Sequence, residues 1–310
     1  MSRRPIILDC DPGHDDAIAI LLAANNPELE LLGITVSTGN QTLKKTARNA
    51  LNVCDYLNVE VPVAQGAPRP LVRDLQIAED IHGESGLDGV DFQTHDRHLD
   101  ERHAVDFIIE TLLQSGSPIT MVTTGPMTNL AMALRRAPKI KDNIREVVLM
   151  GGSFGYGNVS PAAEFNILVD PEAAHIVFSS GLKVTMVGLD ATRQVLVLPD
   201  IVKRMENINS RASDLFVKLM KVFNENQRKI FGLPGGPLHD PLTIAYLTDP
   251  EVLRTKHVHC SVDLSHGESH GRTNCDMFGY LGKEANTHVA TEVDVTRFWD
   301  IVEAAIRRYD

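Results

Sequence analysis

The most constraining feature of this 310-residue sequence is a group of four aspartates close to its first residue. The apolar residues Ile6–Leu8 predict a buried strand, which is followed by Asp9–Asp11, a Pro-Gly turn, and Asp15–Asp16 at the start of an apolar helical run. The carboxylates therefore gather where a parallel strand leads into a helix, which is the edge at which open α/β sheets bind ligands. Because such carboxylates repel one another, and because their ligand atoms are all oxygen, they favour a hard cation such as Ca²⁺ or Mg²⁺.

Helix capping is the simpler explanation for some of these aspartates, because an Asp at a helix start accepts hydrogen bonds from free N–H groups. One cap per helix does not account for all four. The same alternative applies to Asp240, which stands before Pro241 as an N-cap stands before a proline at the first helical position. Asp170 and Asp249 also precede Pro-Glu, so spacing alone favours capping for Asp240. Only the neighbouring His239 and the preceding Gly/Pro-rich run set Asp240 apart.

Composition and charge limit the class of function. The net charge of −11 argues against a general nucleic-acid binder or a binder of anionic membranes. There is no signal-peptide pattern and no apolar stretch of membrane-spanning length. The four cysteines form no Cys-x-x-Cys pair, which is typical of reduced thiols. Together these features predict a cytoplasmic protein with no membrane partner.

Strand-like and helix-like segments alternate through the first two thirds of the chain, which predicts one α/β domain over residues 1–310 with a parallel sheet covered on both faces. The segment Glu60–Val63 predicts a short strand, His257–Val262 another, and Pro199–Phe231 a helical region. Two long segments, Gly66–Arg102 and Gly151–Val169, lack periodicity and predict loops of the kind that carry function.

Two sets of polar residues lie in these loops. Glu164 and Asn166 are two residues apart, so in an extended chain they would point the same way and could bind the hydroxyls of a sugar-like ligand. An exposed strand edge explains them equally well. His95, His98 and His103 suggest zinc, but the intervening Asp and Arg residues favour a solvated loop.

Taken together, these motifs resemble the nucleoside hydrolases. The opening Asp-Cys-Asp-Pro-Gly-His-Asp-Asp-Ala is highly specific to that family, and further family blocks follow in order at Gly39–Thr42, Ile81–Glu84, Ala163–Asn166 and His239–Asp240. The resemblance covers essentially the whole chain and is nearest to the bacterial pyrimidine-preferring ribonucleoside hydrolases. It implies a single α/β domain with a mixed, mostly parallel sheet, assembly as a homotetramer, and hydrolysis of the N-glycosidic bond of uridine or cytidine to base and ribose.

The resemblance also implies a role for each candidate site residue. The implied ligands of one Ca²⁺ per subunit are Asp11, Asp16, Asp240 and the carbonyl of Thr124. The implied ribose-binding residues are Asp15, Asn40, Asn158, Glu164 and Asn166. The implied base-side residues are His82, Gln227, Phe231 and His239. Asp11 is further implied as the general base for water and His239 as the acid for the leaving base. Pyrimidine-preferring relatives often carry Tyr at position 231, and a Phe cannot donate the hydrogen bond of a Tyr hydroxyl.

Other functions remain open at this point. A purine or broad inosine-uridine hydrolase would share all these motifs. Asp9-x-Asp11 after a strand also resembles the haloacid dehalogenase phosphatases, but those enzymes need a small hydroxyl residue and a Gly in the next turn, which Pro12–Asp16 does not supply. A nucleoside-binding protein without catalysis is a third alternative, although the complete set of acidic and histidine residues argues against a decayed site.

Overall fold

The computed structural model describes residues 3–309, and in these residues strands and helices alternate as the sequence predicts. The strands are β1 (Arg4–Cys10), β2 (Leu29–Val36), β3 (Val63–Gln65), β4 (Ile119–Thr123), β5 (Ile144–Met150), β6 (Val184–Val187), β7 (Leu253–Val258), β8 (Cys260–Val262), β9 (Thr273–Cys275) and β10 (Thr287–Val293). The helices are α1 (His14–Ala24), α2 (Leu43–Tyr56), α3 (Glu79–His82), α4 (Ala104–Gln114), α5 (Thr128–Arg136), α6 (Phe165–Val169), α7 (Pro171–Phe178), α8 (Leu189–Thr192), α9 (Pro199–Glu206), α10 (Arg211–Phe231), α11 (Pro241–Thr248) and α12 (Val295–Arg307).

Eight of the strands form one sheet in the order β3-β2-β1-β4-β5-β6-β10-β7. Neighbouring strands are parallel except for β7, which is antiparallel to β10 at the sheet edge. Strands β8 and β9 form a separate antiparallel pair. The predicted α/β fold with a mostly parallel, mixed sheet is therefore confirmed.

The sheet separates two hydrophobic cores. Along β1 the side chains of Ile6 and Leu8 enter one core, which also contains residues of α1, α2, α10, α11 and α12, whereas Ile7 enters the other, with α4, α5 and α7. Side chains alternate across a strand, so a strand covered on both faces is a continuous apolar run, as Ile6–Leu8 is. Helices cover both faces of the sheet, as the alternating pattern predicts.

The strand order places a crevice at the carboxyl end of β1. From β1 the chain continues to β2 and β3 on one side and then returns to β4 on the other side of β1. Ligands bind in open α/β sheets where the strand order reverses in this way. Asp11 follows β1 and Thr124 follows β4, so both residues lie at the mouth of this crevice.

Two predicted strands differ in their bounds from the observed ones. The strand predicted at Glu60–Val63 is observed at Val63–Gln65. Pro62 has no N–H to donate, so only its carbonyl bonds to β2, by accepting from the Ile34 N–H, and residue pairing starts at Val63. The strand predicted at His257–Val262 is two strands. Its first part, in β7, pairs with β10, whereas β8 pairs with β9, and the chain changes partner at His259.

The helical region predicted at Pro199–Phe231 is two helices, α9 and α10. The break includes Asn209, whose φ of 57° is left-handed, followed by Ser210, whose side chain accepts a hydrogen bond from the N–H of Ser213. Asn tolerates this conformation and Ser caps the next helix, so both residues favour a stop and a new start. The two predicted loops are also partly helical, because they contain α3 and α6.

The four cysteines are free thiols in the described part of the chain. Cys260 and Cys275 face each other across β8 and β9 with their Sγ atoms 3.0 Å apart. Between residues 3 and 309, none of the helices has both the length and the apolar composition needed to cross a bilayer.

Candidate active site

Three buried carboxylates meet at the crevice. One oxygen from each of Asp15, Asp16 and Asp240 lies within 4.8 Å of the other two. Asp11 lies beside them, and its Oδ1 is buried with no hydrogen-bond partner among residues 3–309. Asp9, in contrast, is not part of this group, since its carboxylate accepts hydrogen bonds from Thr35 and Asn129. The predicted cluster therefore consists of three of the four N-terminal aspartates and Asp240.

Burial and mutual repulsion dominate the electrostatics of the cluster. Burial and then the neighbouring Asp16 raise the pKa of Asp11 well above its ordinary value and that of Asp15 to about 7. Burial, followed by Asp15 and Asp16, also raises the pKa of Asp240 well above its ordinary value. Four carboxylates that resist ionisation for these reasons have the donor set and the need for positive charge that suit a hard divalent cation. The residues present therefore fit such a metal ion.

Capping explains Asp240 less well than its two sequence counterparts. The side chain of Asp170 accepts a hydrogen bond from the N–H of Ala173, and that of Asp249 accepts one from Glu251. The Asp240 side chain makes no such bond in the described structure, and its backbone is helical rather than extended. The capping interpretation of Asp240 is therefore wrong, and its carboxylate is directed to the acidic cluster instead.

The loop after β2 holds the cluster from one side. The backbone N–H of Asn40 donates to Asp11 Oδ2 at 2.6 Å, and its side-chain amide donates to Asp16 Oδ2 at 3.0 Å. A Cβ at Gly39 would lie 2.1 Å from Asp11 Oδ2, and one at Gly125 would lie 2.4 Å from Asp11 Oδ1. Both glycines are thus required by the close approach of two loops to one carboxylate.

Asp16 has partners on both of its carboxylate oxygens. Oδ2 also accepts a hydrogen bond from the Gly13 N–H at the start of α1, and Oδ1 accepts one from Thr124 Oγ1 at 2.8 Å. Capping is therefore a partial explanation of Asp16, as expected for one residue per helix. The carbonyl of Thr124, an implied metal ligand, accepts a hydrogen bond from Asn166 Nδ2 at 2.7 Å.

Glu164 and Asn166 come together by a different geometry from the predicted one. They are not in an extended chain, because Glu164 is the N-cap of α6 and accepts hydrogen bonds from the N–H groups of Asn166, Ile167 and Gly152. Burial raises the pKa of Glu164 to about 7. Asn166 is in the first turn of α6, where its amide also donates to the carbonyl of Met150.

A cavity joins the acidic cluster to the predicted base-side residues. The predicted residues that line it are Asp15, Asn40, His82, Thr124, Asn158, Glu164, Asn166, Gln227, Phe231, His239 and Asp240. Asp11 and Asp16 lie beneath this lining. His95, His98 and His103 do not line it, and His103 instead caps α4 by accepting a hydrogen bond from the Val105 N–H.

Sequence reasoning missed Phe223, which lines the cavity and stacks on His82 with their ring centroids 6.0 Å apart. Phe223, Gln227 and Phe231 are four residues apart on α10 and so lie along one face of the helix. The sequence spacing could have identified Phe223, because Gln227 and Phe231 are candidate site residues and Phe223 lies one turn earlier on the same face of the helix.

His82 is held in one orientation. Its Nδ1 accepts a hydrogen bond from the backbone N–H of His14 at 3.2 Å, and its ring stacks on that of His14. Burial and then the neighbouring His14 lower the pKa of His82 well below its ordinary value, so the ring is neutral near pH 7. Because Nδ1 is an acceptor, the ring proton resides on Nε2.

His239 lies at the same end of the cavity, where its Nδ1 is 2.7 Å from Thr192 Oγ1. Burial and then the positive charge of Arg193 lower the pKa of His239 to about 3. Sequence reasoning missed both Thr192 and Arg193. The site therefore has an acidic end, formed by the aspartates, and a neutral end, formed by two uncharged imidazoles and Gln227.

Comparison with known proteins agrees with this geometry. The family model for the inosine-uridine preferring nucleoside hydrolases matches residues 6–300. The chain is 49% identical over 309 residues to the pyrimidine-specific ribonucleoside hydrolase RihB of Escherichia coli, covering 100% of this chain and 99% of that protein.

Two solved structures have the same fold over 99% of both chains. The purine-preferring ribonucleoside hydrolase from Gardnerella vaginalis has a TM-score of 0.92 at 37% identity. The plant nucleoside hydrolase PpNRh1 has a TM-score of 0.93 at 29% identity. The chain therefore belongs to the inosine-uridine preferring nucleoside hydrolase family and is a ribonucleoside hydrolase, as the sequence motifs predict.

We predict that a divalent cation stabilises the protein through the carboxylate cluster. The raised pKa of Asp15 means that, without a cation, the folded state binds more protons than the unfolded state between about pH 4 and about pH 7, so stability falls as pH rises through that window. Thermal unfolding of chelated protein should show this fall, and added Ca²⁺ should restore Tm most at about pH 8.

The variant Asp15→Asn should reduce the pH dependence, and Asp11→Asn, which removes one of the implied metal ligands, should reduce the response to Ca²⁺. Asp142→Asn, which removes an exposed carboxylate far from the crevice in sequence, is the matched control and should behave as the parent protein does. An equal rise in Tm with Ca²⁺ for the parent protein and for Asp11→Asn would contradict a metal site built on this cluster.

Proposed function

We propose that this enzyme hydrolyses the N-glycosidic bond of pyrimidine ribonucleosides, with one Ca²⁺ bound at the carboxylate cluster. The observation that carries the proposal is the polarity of the cavity, whose acidic end suits the ribose and whose neutral end suits the leaving base. Breaking this bond builds positive charge on the ribose and negative charge on the base. The two ends of the cavity are complementary to these two charges.

At the acidic end, the carboxylates stabilise oxocarbenium character on the sugar. Asp15, Asn40, Asn158, Glu164 and Asn166 bind ribose hydroxyls in this proposal, since all five line the cavity and carry acceptor or amide groups. Asp11 acts as general base through Oδ1, the buried oxygen without a partner in the described structure. Deprotonation of water at this atom supplies the nucleophile.

Asp11, Asp16, Asp240 and the Thr124 carbonyl are the proposed ligands of the cation. A bound divalent cation supplies the positive charge that lets these carboxylates ionise and lowers the pKa of water. The packing of Asn40, Gly39 and Gly125 against Asp11 keeps the carboxylates in place before substrate enters.

At the neutral end, His239 and His82 stabilise the departing base. Because burial keeps both rings uncharged, each donates a hydrogen bond from a neutral N–H group rather than holding a positive charge in the ground state. Gln227 lines the same end, and its amide has both donors and an acceptor for the edge of a pyrimidine.

The pyrimidine preference rests on similarity to RihB, at 49% identity, rather than on the size of the site. An adjoining cavity of about 610 Å³, lined in part by Phe231 and His239, has room for a purine. Phe231 is 45% exposed and cannot donate a hydrogen bond. The resemblance to the family further supports a homotetramer and a cytoplasmic location, which we include in the proposal.

A steady-state panel of uridine, cytidine, inosine and adenosine, with free ribose as the readout, tests the proposed reaction and base preference. Uridine and cytidine should have the highest kcat/KM, and chelation should abolish turnover until Ca²⁺ is restored. In a parallel assay with the corresponding nucleoside monophosphates, release of phosphate together with no ribose from the nucleosides would instead indicate a phosphohydrolase. Inosine or adenosine turned over faster than uridine would reverse the base preference while leaving the hydrolase function intact.

Ribose recognition should dominate substrate selection. A site that hydrogen-bonds a substrate hydroxyl discriminates by roughly 10⁴-fold against its absence, because its own buried groups are left without partners. We expect 2′-deoxyuridine to show a kcat/KM lower than that of uridine by roughly this factor. Comparable values for the two nucleosides would contradict the proposal that this end of the cavity binds the ribose 2′-hydroxyl.

His239→Ala should slow uridine hydrolysis by roughly 10²- to 10³-fold, the effect of removing one hydrogen-bond donor from a developing negative charge. p-Nitrophenyl riboside, whose leaving group needs no proton, should be almost unaffected. The response of Tm to Ca²⁺ should also persist, because Asp240 is retained. An equal loss of rate on both substrates would show that His239 binds the sugar or supports the metal site instead.

A further inference from the structure

Thr192 is the polar neighbour of His239 on the side away from the cavity. Thr192 is completely buried, and its Oγ1 lies 2.7 Å from His239 Nδ1. This is the one hydrogen bond of the Thr192 hydroxyl among residues 3–309. Because Nδ1 is occupied, Nε2 is the ring nitrogen available to a ligand in the cavity that His239 lines.

We propose that Thr192 is a positioning residue that keeps the ring proton of His239 on Nε2, from which the neutral ring donates a hydrogen bond to the leaving base. This inference rests on the proposed role of His239 in leaving-group departure. Thr192 does not line the cavity, and it affects departure of the leaving base only through the imidazole of His239.

The direction of the hydrogen bond follows from the surroundings of the hydroxyl. If Nδ1 carried the proton, Thr192 Oγ1 would accept it, and the buried hydroxyl proton would be left without an acceptor. If Thr192 donates to Nδ1, the hydroxyl proton is satisfied and the imidazole proton resides on Nε2. An unsatisfied buried donor is costly, so the second arrangement is favoured.

The backbone holds the two residues at this distance. Thr192 ends α8, the short helix that follows β6, and His239 precedes α11. The chain segments next to them are paired, with the N–H of Val197 donating to the carbonyl of Gly236 at 2.8 Å and that of Leu238 donating to Val195 at 2.9 Å. These backbone hydrogen bonds therefore fix the relative positions of Thr192 and His239 before a ligand binds.

Thr192→Val removes the hydroxyl while keeping the shape of the side chain. We expect kcat for uridine to fall by roughly 3- to 10-fold, the effect of losing one hydrogen bond. KM for uridine and kcat for p-nitrophenyl riboside should change little. Thr192→Ser retains the hydroxyl and should restore most of the uridine rate. Thr185→Val is the matched control, because Thr185 is a buried threonine of β6 whose hydroxyl has no partner among the described residues.

The tautomer itself provides a readout that does not depend on activity. In protein carrying ¹⁵N-labelled histidine, long-range ¹H–¹⁵N correlation spectra identify which ring nitrogen is protonated, and loss of one signal in His239→Ala assigns the resonance. The parent protein should show His239 protonated at Nε2, and Thr192→Val should show a mixture or the Nδ1 form. Parent protein with the proton on Nδ1 would overturn the proposal.

The kinetic outcomes separate this inference from the function on which it rests. If His239→Ala slows uridine but not the nitrophenyl substrate, while Thr192→Val matches the Thr185→Val control, the role of Thr192 is wrong and that of His239 stands. If His239→Ala slows both substrates equally, the role of His239 fails, and that of Thr192 fails with it. Equal loss on both substrates in Thr192→Val alone would reduce Thr192 to a structural residue.

Discussion

Repulsion between buried carboxylates is the constraint on which the rest of this site depends. Asp11, Asp15, Asp16 and Asp240 lie at the carboxyl edge of the sheet, where burial raises the pKa of all four and neighbouring aspartates further raise those of Asp11, Asp15 and Asp240. Neighbouring residues partly offset the cost of burying these carboxylates. Asn40 and Thr124 donate hydrogen bonds to them, and two glycines let the backbone pack closely against Asp11. What these neutral groups cannot supply is net positive charge, which is why the arrangement needs a cation as well as hydrogen bonds.

Burial acts in opposite directions at the two ends of one cavity. Burial makes the aspartates resist ionisation at the acidic end, and it makes His82 and His239 resist protonation at the neutral end. A bound cation reverses the first effect but leaves the second in place. Loaded with metal, the site would thus present negative charge to the ribose and neutral donors to the base, which matches the separation of charge as an N-glycosidic bond breaks.

The sequence predicts the fold and the acidic end of the cavity better than the neutral end, because most residues of the acidic end are close together in the sequence. The motif from Asp9 to Ala17 is a single strand–turn–helix unit, so its residues are neighbours in any parallel α/β sheet. The role of Asp240 does not follow from its local sequence, because Asp170 and Asp249 share the same pattern. Only the folded structure shows that the Asp240 side chain does not cap its helix, whereas those of Asp170 and Asp249 do. Glu164 lines the cavity, but its local geometry depends on α6, a helix too short to produce a periodic signal in the sequence.

The base end is assembled from elements far apart in the sequence, which has a consequence for specificity. Its walls come from α3, α8, α10 and the segment that joins α10 to α11, and only the last two of these are consecutive along the chain. Substitutions of these side chains can change how a base is held while every carboxylate of the cluster is retained, since three of the four follow β1 and only Asp240 comes from the segment before α11. The relatives agree with a base preference that varies while the overall fold is kept. A pyrimidine-specific enzyme at 49% identity and a purine-preferring one at 37% identity both match this chain over nearly its full length. In the function we propose, the motif determines the chemistry on the sugar, whereas the preferred base depends on side chains such as Phe231 and Gln227. The position of these two side chains relative to the motif is set only by the completed fold.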